Sequence, residues 1–170
     1  VLDILGKSGE NDTEIHAILA EFGLPYKYPD NVNKAAEKIP DDINPEEISR
    51  RLDMRDVTTF TIDPKDAKDF DDAVYCESNR QGMRIKNRSG YRLVVAIADV
   101  SHYVRPGTPL DDEAQKRATS VYFPGFVVPM LPETLSNGIC SLNPKVDRMC
   151  FVCDMQVNSE GEVTQSRFYE

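Results

Sequence analysis

Long apolar stretches are missing from this sequence, which excludes a membrane-spanning helix. No run approaches the roughly 20 apolar residues that such a helix needs. No charged-then-apolar leader, internal repeat or low-complexity tract is visible. The chain starts at Val1 instead of Met and ends inside a predicted strand, so we expect it to be an excerpt of a longer protein. Its 170 residues suffice for one well-buried domain with a small helical appendage.

An excess of basic residues is also missing. The formal net charge of -9 at first argues against a nucleic-acid partner, because phosphate binding normally recruits Lys and Arg. The acidity is unevenly distributed, however. Residues 1–50 carry 11 acidic and 5 basic side chains, and residues 63–72, called the acidic segment below, carry 5 Asp and 2 Lys. The rest of residues 51–170 is balanced at 13 acidic and 13 basic side chains, so the acidic segment has the character of a site.

Cysteine is scarce, with 4 residues. Four cysteines without a leader predict a reducing compartment, and we expect a cytoplasmic protein. Cys150 and Cys153 have the C-x-x-C spacing of zinc or redox sites, but no second pair or nearby His completes such a site. They lie in a strand-like run, where an offset of three places side chains on opposite faces. We therefore predict buried structural thiols.

The first fifty residues are typical of short helices. Residues 11–22 carry an apolar stripe at helical spacing, and Gly23 follows them. The stripe consists of Ile15, Ile18, Leu19 and Phe22. Residues 32–38 and 45–52 predict two more helices, the second with Pro45 in its first turn. The simplest interpretation of this region is a scaffold or a linker.

From residue 57 onward the pattern favours strands. β-Branched and aromatic residues predict strands at 57–62, 73–76, 91–98, 148–157 and 163–169. Residues 91–98 are almost continuously apolar, which predicts a central strand. The clearest helix is predicted at residues 108–118, because Thr108 can cap it and Pro109 fits its first turn. These elements indicate an α+β fold: a mixed, mainly antiparallel sheet or partial barrel with flanking helices, preceded by a small helical segment.

Three connecting segments carry predictions of their own. Residues 79–90 form a predicted hairpin that contains four basic residues and no acid, namely Arg80, Arg84, Lys86 and Arg88. Such a hairpin can contact phosphates, although we favour a solvated hairpin. Residues 122–126 predict a rigid aromatic turn, and residues 132–135 predict a helical turn closed by Gly138.

Five carboxylates in the ten residues of the acidic segment resist joint ionisation, because like charges at this distance repel. Hard divalent metal ions are natural counterions for such a cluster. A helix-loop-helix calcium site does not fit, since positions 3, 6 and 12 counted from Asp63 are Lys65, Lys68 and Val74. A solvated acidic loop is the simpler alternative.

The placement of the acidic segment favours a metal site. Asp63 ends one predicted strand, and Asp71 and Asp72 begin the next, where rigid scaffolds display reactive groups. Carboxylates there can hold two Mg²⁺ ions about 3.5–4 Å apart for an in-line phosphoryl displacement. The segment has no His or Cys, which favours Mg²⁺ or Mn²⁺ over zinc.

Several consecutive motifs identify a family. They are Thr61-Ile-Asp-Pro-Lys-Asp-Ala-Lys-Asp-Phe-Asp-Asp-Ala-Val74, Val95-Ala-Ile-Ala-Asp-Val-Ser-His-Tyr-Val104, Tyr122-Phe-Pro-Gly-Phe126, Pro129-Met-Leu-Pro132 and Leu135-Ser-Asn-Gly-Ile-Cys-Ser-Leu-Asn143. In this order they resemble the signature of the ribonuclease II/ribonuclease R family. The resemblance is close over residues 52–170 and looser over residues 1–51. Ser101 and His102 look more like the ribonuclease R branch.

The resemblance implies processive 3′-to-5′ hydrolysis of RNA to nucleoside 5′-monophosphates, with Mg²⁺ as the cofactor and Mn²⁺ as its substitute. It implies that Asp63, Asp69, Asp71 and Asp72 are the catalytic and metal-binding residues. Asp63 and Asp72 are the surest metal ligands, and Asp71 is tied most closely to the hydrolytic step. Asp66 falls at a position that varies in the family and is set aside.

The resemblance also implies a single-stranded RNA 3′ end as the partner. Tyr122 matches the aromatic residue that stacks on a base near that end, whereas its residue type alone favours a core tyrosine. His102 and Arg148 are weaker candidates for RNA contact, and His102 suits a structural role equally well. Asp99, after the central strand, is a weak candidate for support of the site from behind.

By the same resemblance, residues 1–51 are a helical lead-in segment after a missing cold-shock domain. Residues 52–170 are the N-terminal part of a truncated catalytic domain, the RNB domain. The S1 domain, further aromatic residues, an Arg and a Glu would lie outside this chain. A second hypothesis is a non-catalytic RNA-binding or scaffold module that retains the fold, although the intact set of aspartates argues against it.

Overall fold

The computed structural model describes residues 4–78 and 90–170. The described helices are α1 (Asn11–Glu21), α2 (Asp30–Ala36), α3 (Pro45–Arg50), α4 (Val100–Tyr103) and α5 (Pro109–Arg117), with a π-helical turn at Thr134–Ile139. The strands are β1 (Asp72–Ser78), β2 (Gly90–Ala98), β3 (Val121–Phe123), β4 (Phe126–Val128), β5 (Cys150–Asn158) and β6 (Val163–Tyr169). The predicted basic hairpin lies, except for Gly90, outside the described residues.

The chain divides into two compact units. The first contains Val1–Ile39 and Val104–Thr134, and the second contains Pro40–Tyr103 and Leu135–Glu170. The second unit therefore holds the acidic segment and the large sheet. The proposed boundary between residues 51 and 52 concerns sequence modules and stays a prediction.

In the first unit, α1 packs on the β3–β4 hairpin. Ile15 and Leu19 are buried against Val128 of β4. Of the predicted stripe, Ile18 and Phe22 remain 41% and 71% exposed, so only half of it faces the core. α1 ends as predicted, because Gly23 adopts a φ of +65° that favours glycine.

Helix α5 of the first unit confirms its local sequence signals. The Thr108 side chain caps it and Pro109 occupies its first turn, as predicted. Inside the helix, Arg117 Nε donates to the buried Glu113 carboxylate at 2.9 Å. The Arg117 guanidinium also lies 3.8 Å from the centre of the Tyr28 ring, a cation–π contact that fixes the helix to the segment before α2.

The second unit is built on a four-stranded sheet in the order β1-β2-β5-β6, with every neighbouring pair antiparallel. Strand β2 lies inside the sheet as predicted, and the described strands form an open sheet and not a barrel. On one face, Val94, Ala96 and Val152 form the buried core. On the other face, Ile97 and Phe168 keep 50% and 64% of their surface exposed.

The strand predicted at residues 57–62 is wrong. Only Phe60 pairs, in an isolated antiparallel bridge to Val74 with N···O distances of 2.9 and 2.8 Å. The side chains of Phe60 and Ile62 are 53% and 81% exposed. β-Branched and aromatic residues favour strands when neighbours pack against them, and these two side chains project mainly into solvent.

Other elements differ from the prediction mainly at their ends. The predicted aromatic turn is the tight turn of the β3–β4 hairpin, where Gly125 has a φ of +74°. The helix predicted at residues 32–38 begins two residues earlier, at Asp30. The helical turn before Gly138 is of the wider π type, since Cys140 N donates to Leu135 O at 2.9 Å.

Cys150 and Cys153 are free thiols. They pair with Ala98 and Val95 across the ladder, an offset of three that places them on opposite faces, as predicted. Cys150 packs against the sheet core, and burial raises the pKa of its thiol to about 11. Among the described helices, none combines the length and apolar character that crossing a membrane requires.

Candidate active site

The acidic segment is a loop closed at its base by the Phe60–Val74 bridge. Its first half contains a turn in which Ala67 N donates to Pro64 O at 3.0 Å. At its far end, Asp71 O accepts a hydrogen bond from Ala98 N at 2.9 Å, and Asp72 begins β1. The end of the segment is therefore fixed to the interior strand β2.

The middle of the acidic segment is tied to the residue Ser141, which follows the π-helical turn. Ser141 Oγ donates to Lys68 O at 2.8 Å and accepts from Phe70 N at 3.0 Å. Leu142 N then donates to Phe70 O at 2.8 Å. In total, three backbone groups next to Asp69, one in Lys68 and two in Phe70, are thus bonded to a segment more than 70 residues away in sequence.

Burial and the carboxylates of the acidic segment together raise the pKa of Asp71. Partial burial raises the pKa of Asp71, and the negative charges of Asp69, Asp72 and Asp63 raise it further. These are the three partners that the sequence resemblance implies, and the structure brings their charges to bear on one carboxyl group. Asp63 and Asp72 are exposed, and Asp69 is half-buried.

Whether these residues fit a metal ion depends on how closely their negative charges interact. The charges that raise the pKa of Asp71 are those of three other aspartates, and a divalent cation would offset their repulsion. Within residues 4–78 and 90–170, however, no three His, Cys, Asp or Glu side chains form a ready-made cage. Mg²⁺ is usually bound by one or two carboxylates together with water and substrate phosphates. The carboxylates therefore fit an ion whose coordination is completed by substrate, and fit a closed cage poorly.

Asp99 lies directly behind the site, in the residue after Ala98. Its carboxylate accepts from Arg51 Nη2 at 2.6 Å and from Ser101 Oγ at 2.8 Å. Burial alone would raise the pKa of Asp99, but the hydrogen bonds from Arg51 and Ser101 outweigh it and lower that pKa. Asp99 is thus held ionised next to the strand end that binds Asp71.

The candidate RNA contacts occupy different settings. His102 lies beside this ion pair, with Nδ1 3.5 Å from Arg51 Nη2, which is the setting of a structural histidine. Arg148 Nε donates to Ser141 O at 2.9 Å, so part of its guanidinium is engaged by the backbone. Tyr122 belongs to β3 of the first unit and is 64% exposed, which contradicts the alternative of a core tyrosine. The RNA roles of all three stay predictions.

A cleft of about 720 Å³ lies behind the acidic segment. Its lining includes Thr61, Phe70 and Ala73, while the five aspartates of the segment are outside it. The cleft therefore belongs to the apolar side of the sheet, and the carboxylates project elsewhere.

Two family models match the sequence. The RNB domain matches residues 51–170, and a cold shock domain matches residues 1–29. The chain belongs to the RNB domain family. Its sequence is 49% identical over 170 residues to Ribonuclease R of Escherichia coli strain K12, covering all of this chain and 20% of that protein. The chain thus spans about a fifth of the length of the curated relative.

Comparison with solved structures supports the same family assignment. The RNB-family chain matches Mycoplasma genitalium RNase R in complex with ribose-methylated single-stranded RNA, with a TM-score of 0.88, 35% identity and coverage of 99% of this chain and 25% of that one. It also matches yeast Ssd1, described as a pseudonuclease, with a TM-score of 0.71, 22% identity and coverage of 96% and 20%. The second likeness shows the fold alone.

Sequence reasoning missed two residues that hold the site. Ser141 lies in a motif used for the family resemblance, but nothing in its spacing indicated a bond to Lys68 and Phe70. Arg51 is a basic residue at the end of a predicted helix, and only the fold reveals its pairing with Asp99. Both contacts link residues far apart in the chain, so the periodicity of the sequence does not indicate them.

Proposed function

We propose that this chain is the front part of an RNB catalytic domain in a longer, Mg²⁺-dependent 3′-to-5′ exoribonuclease. The parent protein would degrade single-stranded RNA processively and release nucleoside 5′-monophosphates. The observation that carries the proposal is the convergence of three aspartate charges on Asp71, with all four acids at the family's signature positions. Identity of 49% to Escherichia coli Ribonuclease R over the whole chain supports it. We also propose a cytoplasmic location.

Asp63 and Asp72, with Asp69 beside them, are the residues that would hold the metal. When bound, Mg²⁺ would supply positive charge that offsets the negative charge at the scissile phosphate. The chain's own contribution is to keep these carboxylates together in spite of their repulsion, through the bonds that fix the backbone of the segment. We assign the hydrolytic step to Asp71, because the sequence resemblance ties it to that step and because the charges of Asp63, Asp69 and Asp72 act together on it.

Tyr122 is the residue that we propose for gripping the RNA. Its ring is 64% exposed on a short hairpin, and an exposed aromatic face can stack on any base without regard to sequence. His102 and Arg148 are secondary candidates, since both already have protein partners.

The test compares two charge-neutral variants of the full-length protein. Asp71→Asn is expected to lower kcat by about 10³-fold or more, because a residue of the catalytic unit is removed. Asp66→Asn makes the same change five residues earlier in the same segment and is expected to stay within about threefold of wild type, as an exposed site away from the chemistry. Release of nucleotides from a 3′-extended oligonucleotide in Mg²⁺ is measured for both. Equal turnover by Asp71→Asn and wild type would refute the assignment.

The fold itself allows a second function, since yeast Ssd1 has this fold and is described as a pseudonuclease. The alternative is a non-catalytic RNA-binding module. It predicts tight retention of RNA on a filter with no shortened product in Mg²⁺, and equal retention by the Asp71→Asn variant. The intact set of four aspartates favours the catalytic function.

A further inference from the structure

Ser141 is completely buried, with 0% of its surface exposed, although it is a small polar residue. Its hydroxyl donates one hydrogen bond and accepts another, and both join it to the acidic segment. It donates to Lys68 O at 2.8 Å and accepts from Phe70 N at 3.0 Å. These two groups flank Asp69 in the backbone, and Phe70 directly precedes Asp71. A single oxygen atom thus holds the chain on both sides of one proposed catalytic residue and immediately before another.

The residue is itself held firmly. Ser141 N donates to Gly138 O at 3.1 Å, and Ser141 O accepts from Arg148 Nε at 2.9 Å. The neighbouring Leu142 N adds a third bond to the acidic segment, through Phe70 O. With its backbone bonded at both ends, the Ser141 hydroxyl is a fixed reference point for the loop that it binds.

We propose that Ser141 is a positioning residue for Asp69 and Asp71. Its hydroxyl binds the backbone on both sides of Asp69 and thereby fixes where these two carboxylates lie. Its role in turnover rests on the proposed function, whereas its effect on the loop does not. Four like charges that repel one another would drive a free loop apart. The hydroxyl opposes that movement, because it fixes the backbone on both sides of Asp69 and immediately before Asp71.

Removal of the hydroxyl leaves two partly buried backbone groups without their partner. Lys68 O and Phe70 N would have to find water or shift, and a shift of about 1 Å at a catalytic group can cost about 10²-fold in rate. Binding of RNA elsewhere on the protein does not depend on these two groups. A positioning role therefore predicts a loss in kcat with little change in KM.

The test uses Ser141→Ala in the full-length protein, with Cys140→Ala as the matched control. Cys140 is the adjacent residue and is 3% exposed. In the described part of the chain its thiol makes no hydrogen bond to the acidic segment, although burial raises the pKa of that thiol and the charge of Asp71 contributes to the shift. Its removal therefore perturbs the same buried region and leaves the hydrogen bonds of the loop in place. We expect Ser141→Ala to lower kcat about 10²-fold with KM for an RNA oligonucleotide within about threefold. Cys140→Ala should keep both constants within about threefold.

Hydrogen–deuterium exchange supplies a readout that does not need activity. In Ser141→Ala, the peptide covering residues 66–72 should exchange at least about tenfold faster, while β2 and β5 keep their protection. Should Ser141→Ala not accumulate as folded protein, Ser141→Cys is measured instead. A thiol is a weak donor and acceptor, so a smaller change in the same direction is expected, with kcat lowered about tenfold.

Three outcomes decide between the possibilities. An unchanged kcat together with unchanged exchange in residues 66–72 overturns the proposal. Faster exchange spread equally over the loop and the sheet also overturns it, because Ser141 would then stabilise the unit as a whole. If the wild-type protein releases no nucleotide, the proposed function fails, and the exchange of residues 66–72 alone decides whether Ser141 positions the loop.

Discussion

The buried ion pair behind the site gives the most quantitative prediction for this fold. Arg51 Nη2 lies 2.6 Å from Asp99 Oδ2, and their side chains are 9% and 5% exposed. Arg51 also donates from Nε to Glu47 Oε2 at 3.0 Å. Replacing Arg51 with Met keeps much of its apolar volume and removes its ion pair with Asp99 together with its contacts to Glu47, Glu170 and Cys150 O.

Loss of one partner of a buried pair destabilises a protein by about 3–5 kcal/mol, because the other charge is left uncompensated. Asp99 would retain hydrogen bonds from Ser101 Oγ at 2.8 Å and His102 N at 3.2 Å. We therefore expect Arg51→Met to cost about 3 kcal/mol, the lower end of that range. For a chain of this length, this corresponds to a fall in Tm of about 6–12 °C.

The pH dependence of this cost follows from Asp99. Its pKa is lowered in the folded state, chiefly because the hydrogen bonds from Arg51 and Ser101 outweigh its burial. Its contribution is therefore complete above the unfolded pKa of about 3.9 and is lost as the pH falls through the lower folded pKa. Without Arg51, burial raises the pKa of Asp99. The difference between wild type and Arg51→Met should therefore be largest near pH 7 and should shrink as falling pH protonates Asp99 in the variant.

The assay is urea unfolding followed by circular dichroism at each pH. Asp99→Asn provides the second arm, and its cost should be smaller, about 1–2 kcal/mol, because Arg51 keeps the Glu47 carboxylate. The double variant should cost less than the sum of the two single changes, since the residues contact each other. A cost below about 1 kcal/mol at pH 7, or strict additivity in the double variant, would refute this reasoning.

Two further predictions concern an exposed ring and a buried thiol. Tyr122→Ala should weaken binding of single-stranded RNA by about 5- to 150-fold, because stacking on one base contributes about 1–3 kcal/mol, while Tyr122→Phe should bind like wild type in a fluorescence anisotropy titration. Comparable affinities for Tyr122→Ala and wild type would exclude stacking. Iodoacetamide at pH 8 should label the exposed Cys76 well before Cys140, since burial raises the pKa of Cys140 to about 12 and leaves roughly one thiol in 10⁴ ionised. Peptide mass spectrometry measures both rates, and similar rates would contradict the burial of Cys140.

Elements with strong local signals were predictable. Helix α5 carries its cap, its first-turn proline and its charge gradient within ten residues, and the structure confirms it. Strand β2 was predictable as an interior strand from its almost continuous apolar run, although the structure buries mainly the face that carries Val94 and Ala96. In these cases the residues that fix the element lie inside it, so one sequence suffices.

Elements that depend on a distant partner were not predictable. Residues 57–62 have the composition of a strand, but the described structure gives only Phe60 a partner, at Val74. The candidate site likewise has a part with local sequence signals and a part that depends on distant residues. The acidic segment and its aspartates stand out in sequence, and the charges that act on Asp71 come from residues within eight positions of it. The bonds from Ser141 to this segment arise only when residues more than 70 positions apart meet.

The acidic segment, which the Phe60–Val74 bridge closes at its base, consists of two halves with different tolerance for variation. The half before Lys68 is held by the local turn from Pro64 to Ala67, and its tip at residues 65–66 is exposed. An insertion there lengthens a loop that is already closed, and each doubling of loop length costs only about 0.6 kcal/mol. Between residues 68 and 71 the backbone is bonded at Lys68, Phe70 and Asp71, so one added residue would displace every acid that follows. The segment can therefore change its length in one half while the spacing of the acids in the other half is fixed.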